Sequence, residues 1–254
     1  MNSSTQQPLP ASGSIAVIWD YDCTLVDTRR KNFNVTRAII TDMTGQDPDR
    51  FEPLTSLASY EAALLRTANW RDLYQQWFDL STVDTDRAGA LWTKYQLEDT
   101  TPTPLLPGIP EVLARLGHLP HGVLSQNGQT IITHVLEANG LEGYFQAVVG
   151  FEDVDFARQK PAPDGLLLCL ERLTRQRPGL VFYIGDHETD ALCAEKGRQA
   201  LAQRQPDIRL ISIGALYCID TRPPWAERFD HLASQPADIA AIVERYLGNS
   251  TDKG

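Results

Sequence analysis

Ile15-Ala16-Val17-Ile18-Trp19 runs directly into Asp20-Tyr21-Asp22-Cys23-Thr24. The first five residues are apolar without a polar break, the pattern of a short strand buried on both faces. Two carboxylates then stand where that strand must end. Open α/β sheets place their ligand sites outside the carboxyl ends of the strands. Asp20 and Asp22 are therefore candidates for chemistry.

Four further segments read as strands: Gly122–Ser125, Gln146–Val149, Leu180–Ile184 and Ile208–Ile213. They are short and mostly apolar, as a sheet covered on both faces requires. Helical patterns separate them at Gln129–Asn139, Asp164–Arg175 and Glu188–Gln203, and a last one covers Ala237–Leu247. Asn139-Gly140 is a helix stop, and Asp164 after two prolines is a helix start. Strand alternating with helix gives an α/β fold, a doubly wound parallel sheet.

One block interrupts the alternation. Lys31–Met43, Ser59–Thr67, Trp70–Leu80 and Asp86–Tyr95 read as helices with no strand among them. Thr101-Pro102-Thr103-Pro104 follows as a linker, and Pro107-Gly108 turns into the next helix. The expected organisation is a core of residues 14–27 and 105–248, a helical insert of residues 28–104, and polar tails at 1–13 and 249–254. An insert at that point would cover the carboxylate pair. Its tryptophans Trp70, Trp77 and Trp92 are expected in the insert's own core. Its cations Arg29, Arg30, Lys31, Arg66, Arg71 and Lys94 are candidates to touch the far end of a substrate.

Among the 254 residues, 42% are hydrophobic and 22% charged, ordinary for a globular protein. A formal net charge of -10 argues against nucleic-acid binding, which needs a basic patch. No apolar run approaches the roughly 18 residues of a membrane span, and the polar start lacks a signal-peptide core. The four cysteines, Cys23, Cys169, Cys193 and Cys218, fit no zinc spacing. The expectation is a cytoplasmic protein with reduced thiols, monomer or homodimer, with Cys169 and Cys193 as small core residues.

The later strand ends carry polar residues too. Ser125 ends the second strand and Gln126 follows it. Lys160 lies beyond the third, in Arg158-Gln159-Lys160-Pro161. Asp186 and Asp190 follow the fourth, in Gly185-Asp186-His187-Glu188-Thr189-Asp190. In a parallel sheet all of these face one edge. Clustered carboxylates repel, so a cation must hold them together. Carboxylate oxygens suit Mg²⁺, which bridges to phosphate oxygens. A carboxylate can also act as a nucleophile, and a second one can move the proton.

With Asp20-Tyr21-Asp22-Cys23-Thr24-Leu25-Val26-Asp27, Ser125, Lys160-Pro161-Ala162-Pro163-Asp164 and Gly185-Asp186-xxx-Asp190 in this order, the chain resembles the haloacid dehalogenase superfamily. The likeness is to its phosphatase branch, among phosphoglycolate-phosphatase-like members with a helical cap. The resemblance implies a Mg²⁺-dependent phosphatase of a small phosphorylated metabolite. It makes Asp20 the nucleophile and a metal ligand. Asp22 becomes the acid/base, lending its backbone carbonyl to the metal. Ser125, Gln126 and Lys160 would hold the phosphoryl group, Asp186 the metal, and Thr24 and Asp190 would stand behind them. His187 is left without a direct part, because Asp22 takes the proton transfer.

The chain departs from the family pattern at Cys23, where glycine is usual, at Gln126, where asparagine is frequent, and in a longer segment at Gly197–Asp207. A sugar-phosphate mutase shares the same carboxylate pair and is the nearest alternative. A phospho-ligand-binding protein without turnover is the alternative of a different class. A P-loop enzyme is excluded, since no Gly-x4-Gly-Lys-Ser/Thr run occurs.

Overall fold

A computed structural model describes residues 14–67, 69–173 and 178–251. The expected tail at 1–13, the last three residues of the chain and the end of the Asp164–Arg175 helix lie outside the described residues.

The strands are β1 (Ser14–Trp19), β2 (His121–Leu124), β3 (Ala147–Val149), β4 (Pro178–Gly185), β5 (Arg209–Ala215) and β6 (His231–Ala233). They form one sheet in the order β3-β2-β1-β4-β5-β6, and every pairing is parallel. The α/β, doubly wound reading is correct. β6 was not expected: His231-Leu232-Ala233 is too short to show a strand pattern and is held by pairing with Ile213–Ala215.

β1 explains why a continuous apolar run makes the central strand. Successive side chains point to opposite faces. Ile15, Val17 and Trp19 enter one apolar cluster, and Ala16 and Ile18 enter the other. β4 does the same, with Phe182 and Ile184 on the first face and Val181 and Tyr183 on the second. Helices α5 (Ile109–Leu116), α6 (Gln129–Ala138) and α9 (Pro236–Thr251) cover the first face; α7 (Asp164–Leu173) and α8 (Glu188–Arg204) cover the second. The added length near Gly197 is helix, with α8 running to Arg204. At the other end of the chain α9 continues to Thr251, so residues 249–251 are helix rather than tail.

Between β1 and β2 lie α1 (Arg29–Thr44), α2 (Leu57–Leu64), α3 (Trp70–Trp77) and α4 (Thr82–Glu98). Ser56, Asn69 and Ser81 cap the last three by accepting backbone N–H groups of the first turn. The four helices share a third cluster, including Phe33, Ile39, Leu54, Tyr60, Leu73 and Phe78. The chain leaves the sheet and returns along paired segments: Asp27 N–H donates to the Pro104 carbonyl at 2.9 Å, and Leu106 N–H to that of Leu25 at 3.0 Å.

β1 sits between β2 and β4. The connections run outward from it in one direction through β2 and β3, and in the other through β4, β5 and β6. This reversal opens a crevice at the carboxyl edge, where ligands of such sheets bind. Asp20 N–H donates to the Ile184 carbonyl at 2.7 Å, which fixes the end of β1 against the end of β4.

Candidate active site

Asp20, Asp22, Ser125, Gln126, Lys160, Asp186 and Asp190 all line one cavity of about 850 Å³ between the sheet edge and helices α1–α4. Asp190 is carried there by the first turn of α8, and each of the others by a strand end or the loop that follows it.

Lys160 Nζ is the hub. It donates to Asp20 Oδ1 and to Asp190 Oδ1, the latter at 2.7 Å, with all three side chains almost wholly buried. Asp190 also accepts from Tyr183 Oη at 2.6 Å and from His187 N–H at 3.1 Å. The Asp190 carboxylate thus has three donors, and it holds Lys160 toward Asp20. Gly185 makes room for this: a Cβ there would collide with the Asp190 carboxyl.

Asp22 turns the other way. Its Oδ1 accepts from Asn32 Nδ2 at 3.1 Å and its Oδ2 from Ser125 Oγ at 3.4 Å. Ser125 Oγ accepts in turn from Asn127 N–H at 3.0 Å. Gln126 is less free than the sequence suggests, because its Nε2 donates to the Lys160 carbonyl at 3.2 Å. Thr24 is fully buried, and its Oγ1 has no hydrogen-bond partner. Its carbonyl accepts from Tyr217 Oη at 2.5 Å.

Residues 17–200 match the family model of the haloacid dehalogenase-like hydrolases. The chain belongs to this family. Over 93 residues it is 33% identical to the phosphoglycolate phosphatase of Escherichia coli (strain K12), a stretch that covers 36% of this chain and 36% of that protein. Over 111 residues it is 32% identical to the pyrophosphatase PpaX of Listeria welshimeri, covering 39% of this chain and half of the other. The alignments thus span a third to a half of these curated relatives. Among solved structures, a protein from Lactobacillus plantarum provisionally assigned as a phosphoglycolate phosphatase superposes with a TM-score of 0.70 at 17% identity, covering 93% of this chain and all of that one. CbbY from Rhodobacter sphaeroides, in complex with xylulose-(1,5)bisphosphate, gives 0.62 at 16% identity, covering 88% and 95%. At such identities the structural likeness speaks for the fold.

The haloacid dehalogenase-like site holds more negative charge than its own lysine balances. Oxygens of Asp20, Asp186 and Asp190 lie within 4.8 Å of one another. Burial pushes the Asp20 carboxyl up to about 7; Asp190 and Asp22 add to this and Lys160 opposes it. Asp186 is likewise pushed well above the usual carboxylate range, first by burial and then by Asp20 and Asp190. Three carboxylates around one ammonium call for a further cation, and all the donors are hard oxygens. The donor set fits a divalent ion. Asp190 already accepts from Lys160, Tyr183 and His187, whereas Asp20 and Asp186 could hold such an ion with fewer bonds to break. The Asp22 side chain lies outside this cluster among the described residues.

His187 caps α8: its Nδ1 accepts from Thr189 N–H at 3.3 Å, and burial holds its imidazole below the ordinary value. Cys23 occupies the position where the family usually has glycine, and its φ is +55°, in the left-handed region that glycine favours. The neighbouring Cys218 thiol, and then burial, push its thiol well above the ordinary cysteine value. Cys169 and Cys193 are buried core residues, as their setting suggests.

Of the cations flagged in the helical block, Arg29 and Arg71 line the cavity. Lys31 is buried and donates to the Asp99 carbonyl at 2.8 Å, a structural tie. Trp70, Trp77 and Trp92 all pack against the helical cluster as expected, and Trp70 and Trp92 also line the cavity. Trp92 Nε1 donates to Asn127 Oδ1 at 3.2 Å and so joins α4 to the loop after β2. Sequence reasoning missed Asn32, Gln96 and Tyr183. Gln96 Nε2 donates to Asn32 Oδ1 at 2.7 Å, orienting the amide that reaches Asp22. The one signal for Tyr183 was a hydroxyl inside an apolar strand, which must find a partner when buried.

Proposed function

We propose that the protein is a Mg²⁺-dependent phosphatase that hydrolyses a small phosphate monoester through a phospho-Asp20 intermediate. The observation that carries this reading is the convergence of Asp20, Asp22, Ser125, Lys160 and Asp186 on one cavity wall. Membership of a hydrolase family, and stretches shared with a phosphoglycolate phosphatase and a pyrophosphatase, support it.

Lys160 holds one Asp20 oxygen, which leaves the other for attack on phosphorus. As the P–O bond to the leaving alcohol breaks, Asp22 gives that oxygen a proton. Asp22, now a carboxylate, takes a proton from water as the water attacks the phospho-Asp20, releasing inorganic phosphate and restoring the Asp20 carboxylate and the protonated Asp22. Asn32 and Ser125 aim Asp22 for both transfers. Ser125 and Lys160 bind the phosphoryl oxygens, with Gln126 at the edge, while Thr24 and Asp190 brace the motif. Mg²⁺ held by Asp20, Asp186 and the Asp22 carbonyl would neutralise the carboxylates and the phosphoryl charge. Helices α1–α4 act as the cap that shields the site and meets the leaving group.

Phosphate release from a panel of phosphomonoesters, with Mg²⁺ and with a chelator, tests this reading. Turnover that the chelator abolishes is expected. Isomerised ester without free phosphate would indicate a mutase instead, and binding without any turnover a phospho-ligand-binding protein.

A further inference from the structure

The cavity is large, its cations are already engaged and its far wall is apolar. Its volume of about 850 Å³ lies high in the range of roughly 300–1,000 Å³ that takes drug-sized ligands. A phosphoryl group against Asp20 fills only a small part of that space.

Among the described residues, Arg29, Arg71 and Lys160 are the Lys and Arg side chains that line it. Each has a carboxylate partner. Lys160 is held by Asp20 and Asp190. Arg29 donates from two nitrogens to both oxygens of Asp27, at 2.9 and 2.7 Å. Arg71 pairs with Asp86 and lies over the rings of Trp70 and Phe156, 4.5 and 4.0 Å from their centroids. Besides Asp20, Asp22, Asp186 and Asp190, the lining carries three more carboxylates, Glu61, Asp86 and Asp220. Glu61 Oε1 is buried with no hydrogen bond, its nearest cation being Arg29 Nε at 3.7 Å. A carboxylate in the lining opposes a ligand that brings another negative charge.

Much of the remaining wall is apolar, with Leu64, Leu65, Trp70, Trp92 and Phe156, between polar side chains such as Asn69, Thr67 and Thr93. Leu65 and Phe156 are 47% and 54% exposed, large apolar side chains left open to solvent. The Trp70 ring is seated on Gly89, where a Cβ would meet its edge at 2.6 Å, so the helix gives up a side chain to hold the indole at the wall.

On the phosphatase reading above, we infer that the leaving alcohol is bulky and largely apolar and carries no anionic group. A second carboxylate, as in 2-phosphoglycolate, would find no unpaired guanidinium or ammonium in this cavity and would face Glu61. A neutral or cationic alcohol would cover the open apolar wall and can donate to the Glu61 carboxylate.

The test compares kcat/KM for 2-phosphoglycolate, benzyl phosphate and phosphocholine, all alkyl esters, using the full chain with Mg²⁺. 4-Nitrophenyl phosphate serves as an activated control. Benzyl phosphate and phosphocholine are expected to exceed 2-phosphoglycolate by roughly tenfold or more. Glu61→Gln, which removes the wall's charge at nearly constant shape, should narrow that gap. If 2-phosphoglycolate matches or exceeds the other two while the control is turned over, the inference is wrong and the phosphatase reading stands. If no ester is cleaved, the control included, the phosphatase reading fails and takes this inference with it.

Discussion

Lys160 and Asp20, 140 positions apart in the chain, form an ion pair with side chains only 4% and 8% exposed. Against the pull of burial, Asp190 and Asp20 hold the Lys160 ammonium above its ordinary value. The pair joins the loop after β3 to the end of β1, so it is a structural and a chemical element at once.

Replacing Lys160 by Met leaves Asp20 and Asp190 facing each other without a cation. Removing one partner of a buried pair costs about 3–5 kcal/mol. The loss relative to the unsubstituted protein should shrink on acidification, because a proton on one carboxyl relieves the repulsion. Urea unfolding of both proteins near neutrality and at mildly acidic pH measures this. A loss that is the same at both pH values would show that the two carboxylates do not depend on Lys160.

The crowding of Asp20 and Asp186 predicts a stabilising response to Mg²⁺. A ligand at a hundredfold excess over its Kd adds about 2.7 kcal/mol. For a chain of this size that is a rise of several degrees in Tm, at roughly 2–4 °C per kcal/mol. Asp186→Asn should unfold no earlier than the unsubstituted protein without metal, since it removes a repelling charge, and should lose most of the shift. A Tm indifferent to Mg²⁺ would count against a cation at this site.

His121 gives a pH dependence that is separate from catalysis. It is 1% exposed, accepts from Trp19 Nε1 at 3.0 Å through Nδ1, and contacts the Leu116 carbonyl through Nε2 at 2.9 Å. That arrangement suits the neutral ring, and burial lowers its value below the ordinary 6.5. The unfolded chain therefore binds a proton that the folded one resists. Stability is full above about 6.5 and falls as pH drops below it, by up to about 1.4 kcal/mol per pH unit from this residue. His121→Phe should be less stable near neutrality yet flatter in this window. Equal slopes would assign the acid sensitivity to other groups.

The left-handed backbone at Cys23 makes the family's glycine intelligible. Residues with a Cβ incur about 1–2 kcal/mol in this conformation, and β-branched ones suffer most. Cys23→Gly should keep activity and stability within about 1 kcal/mol, whereas Cys23→Val should lose more than that. Thermal unfolding of the pair of variants decides it; a Val variant as stable as the Gly one would contradict the steric account.

Much of this was legible in the chain because it depends on local pattern. The apolar run of β1 and the carboxylates after it define the central strand and the reacting edge together. Ser125, Lys160 and Asp186 follow because parallel strands send all their carboxyl ends one way. What escaped was set by tertiary contact. β6 exists only through its pairing with β5. Asn32 reaches Asp22 because α1 packs against α4, where Gln96 holds its amide. Trp70 and Trp92 carry the same helical spacing whether they face a core or a cavity, and only the packing of the four helices separates the two.

Phosphate release by Asp20→Asn, beside the unsubstituted protein, tests the central claim most directly. Asparagine keeps the shape of the side chain and removes the charge that attacks phosphorus. The account predicts a folded protein whose turnover falls by about a thousandfold or more. An Asp20→Asn protein that still releases phosphate at the original rate would contradict it.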